Sequence, residues 1–231
     1  MRKAALLLAL WCVGAGFAGP AMARAPILVE LFTAQGCSSC AASSQIIADL
    51  KANPRVIALT FPVDYWDYLG WRDTFATPEF TERQRSYMGQ FALREVYTPQ
   101  LVVDGRLQAP AAPLDQAEAL VRQAARLPHD PPDIEFKQAR VSVGGGRAGR
   151  GGADVWLVRY DPRDQSVAVK TGENHGQTVV ERNVVRQLVR LGAWAGRPKV
   201  FKLPPAGAPG LVTVIIVQGA KGGHVIAAKQ G

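Results

Sequence analysis

Two cysteines spaced as C-x-x-C carry the clearest chemistry in this sequence. Cys37 and Cys40 follow an apolar run over residues 27–32, and a second apolar run follows at 56–61. An order of strand, C-x-x-C, helix and strand is the setting in which this motif indicates a thiol–disulfide redox site. Two intervening residues allow a tight turn to bring the sulfur atoms within bonding distance.

The position of Cys37 predicts which thiol attacks. We expect a helix over residues 38–51 with Cys37 at its N-terminus, where unpaired backbone N–H groups and the helix dipole stabilise an anion. The thiolate is the nucleophile in disulfide exchange, so Cys37 is predicted to attack and to have a moderately lowered pKa. Cys40 lies one turn further along and is predicted to resolve the mixed disulfide.

A metal site at these cysteines is the weaker interpretation. Structural zinc usually takes four ligands, and His129, His175 and His224 are widely separated along the sequence. Two-coordinate Cu(I) on Cys37 and Cys40 stays open as an alternative to redox chemistry. Otherwise the sequence predicts no metal and no cofactor.

The start of the chain has the pattern of a secretory signal peptide. Two basic residues precede an apolar stretch, and residues 21–23 form an A-x-A cleavage site. We therefore expect residues 1–23 to be removed and the mature protein to be periplasmic or extracellular, without a stable membrane anchor. Removal takes away Cys12, so the C-x-x-C pair would hold the remaining two of the three cysteines.

The charge of the chain does not indicate a nucleic-acid partner. The formal net charge is +8, from 27 basic and 19 acidic residues. The basic residues are scattered among acidic ones, and no basic stripe or nucleic-acid-binding motif is present in the sequence. We instead expect a protein or small molecule that carries a disulfide or a dithiol.

Between the second apolar run and residue 127 the sequence predicts further elements of an α/β domain. Residues 63–71 are rich in aromatic side chains, which suit either a recognition surface or a packed loop. Thr77-Pro78 indicates the start of a helix to about Ala92. Pro99 precedes a strand that ends at an Asp-Gly turn, and residues 113–127 have the apolar period of a helix.

The second half of the sequence has a different pattern. The proline-rich residues 128–132 indicate a linker. Beyond it, several short strand-like runs separated by turn residues predict an antiparallel, sandwich-like β domain over 133–231. Residues 178–194 fit either a helix or a strand by spacing, and their β-branched content favours a strand.

Three motifs together resemble the thioredoxin-like superfamily over residues 26–127. They are F-T-x-Q-G-C-S-S-C, V-D-Y-W-D-Y-L-G-W and Y-T-P-Q-L-V-V-D-G. More narrowly, the combination is similar to a family of secreted bacterial thioredoxin-like proteins of unassigned function. The resemblance implies an α/β thioredoxin-like domain over residues 24–127 that carries a redox-active cysteine pair.

The same resemblance implies functions for individual residues. Cys37 and Cys40 match the redox pair, and Pro99 matches the cis-proline that faces it. Thr98 matches the residue whose backbone pairs with substrate chains. Glu30 lies near the buried acid of thioredoxins, but one residue further from the first cysteine. It is expected to be either a proton acceptor or a solvent-facing carboxylate at a strand edge.

The sequence thus predicts a secreted thiol–disulfide oxidoreductase with a β-rich second domain. The residues between the two cysteines are Ser38-Ser39, where thioredoxin has Gly-Pro, so the resemblance does not imply the direction of the reaction. Two other functions stay open. The thiolates of Cys37 and Cys40 could pass Cu(I), or the chain is a binding protein that uses residues 63–71 as its contact face.

Overall fold

The computed structural model describes residues 25–111 and 113–231, so the predicted signal peptide over 1–23 lies outside the described residues. The helices are α1 Ser43–Leu50, α2 Pro78–Phe91 and α3 Leu114–Ala124. The strands of the first half are β1 Ile27–Thr33, β2 Val56–Pro62, β3 Gln100–Val103 and β4 Leu107–Pro110. Those of the second half are β5 Ile134–Lys137, β6 Arg140–Val143, β7 Ala153–Asp161, β8 Gln165–Ala168, β9 Thr178–Glu181, β10 Val184–Trp194, β11 Lys199–Lys202, β12 Val212–Gly219 and β13 Val225–Gln230.

One mixed sheet of eight strands organises the molecule, in the order β13-β12-β7-β10-β2-β1-β3-β4. β1 and β2 run parallel, and β3 runs antiparallel to β1. Every residue of β1, β2 and β3 is buried. A strand that is covered on both faces favours apolar side chains at most positions, which explains the two largely apolar runs of the sequence.

Helices cover both faces of this sheet. α1 and α3 lie on one face, against alternate residues of β1 such as Val29 and Leu31. α2 lies on the other face, where Phe80 and Tyr87 join the cluster that contains Phe32. The alternation of side chains along β1 therefore supplies the core of both layers. Among the described residues, no helix is long and apolar enough to cross a membrane.

Two smaller antiparallel sheets complete the second half. β11, β6 and β5 form a three-stranded sheet, and β8 pairs with β9 as a two-stranded ribbon. The three-stranded sheet packs on the large sheet through a cluster that includes Val143, Phe201, Leu157 and Val217. The fold is therefore mixed α/β, with one large mixed sheet and smaller antiparallel sheets.

The second half is rich in strands, but it does not form the separate domain expected for residues 133–231. Val184 of β10 pairs in parallel with Thr60 of β2, so β10, β7, β12 and β13 continue the sheet begun by β1 and β2. The reason is the outer edge of β2. Without β10, the outer edge of the apolar strand β2 would expose unpaired backbone N–H and C=O groups. Residues 128–132 lie outside any helix or strand, yet no break in the sheet follows them.

The two halves share a buried core, and a side chain of the second half hydrogen-bonds to a buried ion pair of the first half. Val158 and Ile216 belong to the same cluster as the aromatic residues of α2. From α2, Arg83 Nε donates to Glu30 Oε1 on β1 at 2.5 Å, and Arg83 Nη1 donates to Gln218 Oε1 on β12 at 3.2 Å. The second half is therefore part of the environment in which the cysteine pair is held.

Candidate redox site

Cys37 and Cys40 are joined by a disulfide in the turn that follows β1. Their Cα atoms lie 5.3 Å apart. β1 delivers the chain to this point, and the Cys40 amide N–H donates to the Cys37 carbonyl at 3.0 Å to close the turn. The two sulfurs that the sequence spacing predicted to meet are therefore bonded to each other.

The helix after Cys37 differs from the prediction. Ser38–Cys40 forms a single 3₁₀ turn, and α1 begins only at Ser43, whereas a continuous helix was expected over 38–51. Ala41 and Ala42, between the 3₁₀ turn and α1, also have helical backbone angles, so the two helical segments follow each other directly.

Both cysteines are shielded from solvent in the disulfide form. Cys37 is 0% exposed and Cys40 is 3% exposed, while Ser38 and Ser39 between them are exposed. The disulfide form therefore leaves neither sulfur of the pair open to a partner. A partner can reach Cys37 only if the residues packed over it move aside.

A turn from the second half covers the disulfide. We call residues 171–176, between β8 and β9, the covering turn. The buried Asn174 donates from Nδ2 to the carbonyls of Gln35 and Cys37, at 2.8 and 3.0 Å. Glu173 Oε2 accepts from the Ser38 backbone N–H at 3.2 Å and from its hydroxyl at 2.9 Å. The covering turn is thereby attached to both sides of Cys37.

The sequence analysis did not identify Glu173 or Asn174. They lie more than 130 positions from Ser38 and Cys37, the residues that they contact. Gly172 precedes them with φ of +80°, which marks a turn and nothing more specific. A local pattern cannot show that two segments so far apart in the chain meet, so no signal in this sequence pointed to them.

The Thr98–Pro99 peptide bond is cis, as the resemblance implied. It lies directly before β3, which is the neighbour of β1 in the sheet. Trp66 connects this bond to the cysteine turn. Its indole N–H donates to Thr98 Oγ1 at 2.7 Å. On its other side Trp66 lies against Gly36, since a β-carbon added at Gly36 would be 3.7 Å from Trp66 Cβ.

Residues 63–71 contain both packed and exposed aromatic side chains, so each of the two interpretations from the sequence fits part of the segment. Trp66 packs on the core cluster and Trp71 donates to Gln35 Oε1 at 3.0 Å, as in a packed loop. Tyr68, in contrast, is 81% exposed. An exposed aromatic side chain next to packed ones leaves a contact face available beside the covering turn, whose Thr171 hydroxyl donates to Gly70 O.

Replacing Trp66 with phenylalanine is expected to lower the free energy of unfolding by ~1 kcal/mol, because the hydrogen bond to Thr98 is lost. Urea denaturation followed by circular dichroism measures the change. Tyr68→Phe is the matched control, since Tyr68 is largely exposed and should change stability by less than about 0.5 kcal/mol. Equal stability of the two variants would contradict a stabilising Trp66–Thr98 contact.

Two carboxyl groups are buried beside the cysteine turn. Asp73 Oδ2 accepts from the Gln35 backbone N–H at 2.7 Å, and Glu181 Oε2 lies 3.5 Å from Gln35 Nε2. Burial, and next the charge of Asp73, raise the pKa of Glu181 to about 8. Glu181 Oε1 is buried without a hydrogen-bond partner in the described part of the chain. A protonated Glu181 removes the cost of two buried like charges.

Glu30 is buried, so the solvent-facing alternative for this residue is wrong. Its carboxylate is 0% exposed, pairs with Arg83, and accepts a hydrogen bond from the Tyr87 hydroxyl. A carboxylate held by a guanidinium and a phenol is committed to a structural ion pair. Glu181, whose pKa is raised by burial, is a second carboxyl group placed beside the cysteine turn.

His175 belongs to the covering turn, whereas His129 lies far from the cysteine pair. His129 Nε2 lies 3.1 Å from Asp104 Oδ2, at the opposite end of β1 from the disulfide. Within residues 25–111 and 113–231, no group of three or more histidine, cysteine, aspartate or glutamate side chains is arranged to hold a metal ion.

Residues 28–218 match the family described as "Protein of unknown function (DUF1223)". The chain belongs to the DUF1223 family. The matched range contains Cys37, Cys40, Thr98, Pro99 and the covering turn, so the whole candidate site lies within the DUF1223 region. No curated protein matches the chain significantly.

Two solved structures resemble this DUF1223 protein. The protein AGR_C_4864 from Agrobacterium tumefaciens shares 30% sequence identity, with a TM-score of 0.71 over 91% of this chain and 95% of that one. HBP35 of Porphyromonas gingivalis shares 14% identity, with a TM-score of 0.59 over 90% of this chain and 75% of that one. Both matches extend across the two halves, as the continuous sheet does.

Proposed function

We propose that this DUF1223 protein is an exported thiol–disulfide oxidoreductase that works through Cys37 and Cys40. The observation that carries the proposal is the disulfide between these residues, placed at the end of the central parallel strand β1 and linked through Trp66 to the cis bond before Pro99. A structural disulfide needs no such neighbour. A C-x-x-C pair at the end of a buried strand suits a bond that forms and breaks.

The scaffold is proposed to be thioredoxin-like over residues 24–127. The proposal is supported by the order of the inner strands, β2-β1-β3-β4, with β1 and β2 parallel and β3 and β4 antiparallel to their neighbours. It is also supported by α1 and α3 on one face and α2 on the other. The second half then extends this scaffold at the β2 edge and supplies the covering turn.

The exchange conserves electrons and protons in both directions. In the reducing direction, the Cys37 thiolate attacks a substrate disulfide, and one substrate sulfur leaves as a thiolate. The Cys40 thiolate then attacks Cys37, which releases the second substrate sulfur and forms the Cys37–Cys40 bond. The substrate gains two electrons and two protons, and the cysteine pair loses the same number. The oxidising direction is the reverse sequence, and in it Cys37 is the sulfur attacked by the substrate.

The proposed partner is a protein or small molecule that carries a disulfide or a dithiol. The proposed compartment is the periplasm or the extracellular space, because a disulfide persists in oxidising surroundings and the predicted signal peptide directs export. Thr98 is proposed to offer its backbone to an extended substrate segment beside Cys37. No nucleic acid and no cofactor is proposed.

The test is catalysed turnover of a fluorescent peptide disulfide with dithiothreitol as the reductant. We expect the wild-type protein to accelerate turnover at least about tenfold above dithiothreitol alone, and Cys37→Ser to return it to that background. Glu118→Gln is the matched control, because it changes an exposed carboxylate on α3 and keeps both sulfurs. Wild-type turnover no faster than Cys37→Ser would contradict the proposal, and stoichiometric copper after reducing purification would favour the Cu(I) alternative.

A further inference from the structure

The covering turn places a carboxylate on the hydrogen-bond donor that a Cys37 thiolate needs. The first unpaired N–H groups after a cysteine are its usual source of anion stabilisation at the start of a helical turn. Here the Ser38 N–H donates to Glu173 Oε2 at 3.2 Å, and the Ser38 hydroxyl donates to the same oxygen at 2.9 Å. Glu173 therefore already occupies the donors on the residue next to Cys37.

The carboxylate acts differently on the two redox states. In the disulfide form Cys37 carries no charge, so Glu173 gains its hydrogen bonds without repulsion. In the reduced form a Cys37 thiolate would compete with Glu173 for the Ser38 donors and would meet a like charge beside it. In the described part of the chain, the hydrogen-bond partners of Glu173 are the two donors of Ser38, so its charge lies beside the residue next to Cys37.

Asn174 keeps this carboxylate in place. Its side chain is buried, and its amide donates to the carbonyls of Gln35 and Cys37 on either side of the turn. These bonds attach the covering turn to the backbone of the cysteine motif itself. The backbone next to Glu173 is therefore fixed by a buried residue, although the Glu173 side chain itself is exposed.

We infer that Glu173 is a positioning residue for the cysteine pair, which favours the disulfide over the reduced form and restrains formation of the Cys37 thiolate. The second half of the chain, through the covering turn, thus sets how readily the pair accepts electrons. This inference rests on the proposed function for its role in the cell. The equilibrium between dithiol and disulfide can be measured whether or not the protein catalyses exchange.

The test compares the wild-type protein with Glu173→Gln in a series of oxidised and reduced dithiothreitol mixtures. Each mixture is quenched with an alkylating agent, and mass spectrometry measures the fraction of protein in which the Cys37–Cys40 bond is broken. Dithiothreitol supplies both electrons and both protons and becomes the cyclic disulfide. Glutamine keeps an oxygen acceptor for Ser38 and removes the charge. Glu173 is exposed, so the variant is expected to fold.

We expect Glu173→Gln to shift the equilibrium constant about threefold to tenfold toward the dithiol, which for tenfold is ~30 mV in a two-electron couple. The pH midpoint of Cys37 alkylation in the reduced protein should fall at the same time, which a merely structural change would not produce. Glu135→Gln, which removes an exposed carboxylate on β5, should leave both values unchanged.

Equal equilibrium constants and equal alkylation midpoints in the wild-type protein and Glu173→Gln would overturn the inference. A shift toward the disulfide in Glu173→Gln would overturn it as well. Failure of the proposed function is recognised separately, as the absence of turnover of the peptide disulfide by a wild-type protein whose dithiothreitol equilibrium is measurable.

Discussion

Replacing Arg83 with methionine is expected to lower the free energy of unfolding by about 3–5 kcal/mol, because it leaves the buried Glu30 carboxylate without its cationic partner. Arg83 and Glu30 have side chains that are 3% and 1% exposed. Arg83 also stacks over Phe61 and Trp156, with its guanidinium carbon 5.4 and 5.8 Å from the ring centroids. Methionine retains much of the apolar contact and removes the charge.

Urea denaturation at neutral pH measures this loss, and the same helix offers a matched control. Arg85 pairs with Glu82 on the surface of α2, where both side chains are more than half exposed. Arg85→Met is therefore expected to cost less than about 1 kcal/mol. Similar losses in Arg83→Met and Arg85→Met would contradict a structural ion pair at Glu30. Part of the loss should be recovered in Arg83→Met combined with Glu30→Gln, since that variant has no unpaired carboxylate.

Replacing Glu181 with glutamine is expected to stabilise the protein at pH 8, by about 2–4 kcal/mol relative to the wild type. The pKa of Glu181 is raised from 4.5 to about 8, first by burial and then by the charge of Asp73. The folded state therefore holds a proton that the unfolded state releases above pH 4.5. The resulting stabilisation is complete below that pH and is lost progressively as the pH rises to about 8.

The pH profile of stability distinguishes this effect from a change in packing. The difference between Glu181→Gln and the wild-type protein should be small at pH 5 and should grow between pH 5 and pH 8, because glutamine does not titrate. Urea denaturation at several pH values measures it. Glu118→Gln, an exposed carboxylate on α3, is the control and should show no pH-dependent difference. A constant difference between Glu181→Gln and the wild type at all pH values would contradict a raised Glu181 pKa.

Features that depend on neighbouring residues could be predicted from the sequence. The buried strands β1 and β2 follow from continuous apolar runs, and the disulfide of Cys37 and Cys40 follows from their spacing. The start of α2 at Pro78 follows from the residue types at a helix N-terminus. The cis bond before Pro99 came from the resemblance to a family, because a proline at the start of a strand is usually trans.

Features that depend on distant residues could not be predicted. The pairing of β10 with β2 joins positions 184 and 60, and no local pattern shows which edge a strand will cover. The same limit applies to Glu173 and Asn174 at the cysteine turn. Glu30 illustrates the limit for a single side chain, since its burial depends on Arg83, 53 positions away. The continuous helix expected over 38–51 is instead a 3₁₀ turn followed by α1, and residue types do not distinguish these two forms of helix.

Trapping of a mixed disulfide tests the central claim most directly, which is that Cys37 exchanges disulfides and Cys40 resolves them. In Cys40→Ser the resolving thiol is absent, so a peptide disulfide attacked by Cys37 should remain covalently attached to the protein. The account predicts a mass increase of one peptide half on Cys37, reversed by dithiothreitol, and far less adduct on Cys40 in Cys37→Ser. Equal adduct on the two variants, or adduct on Cys40 alone, would contradict it.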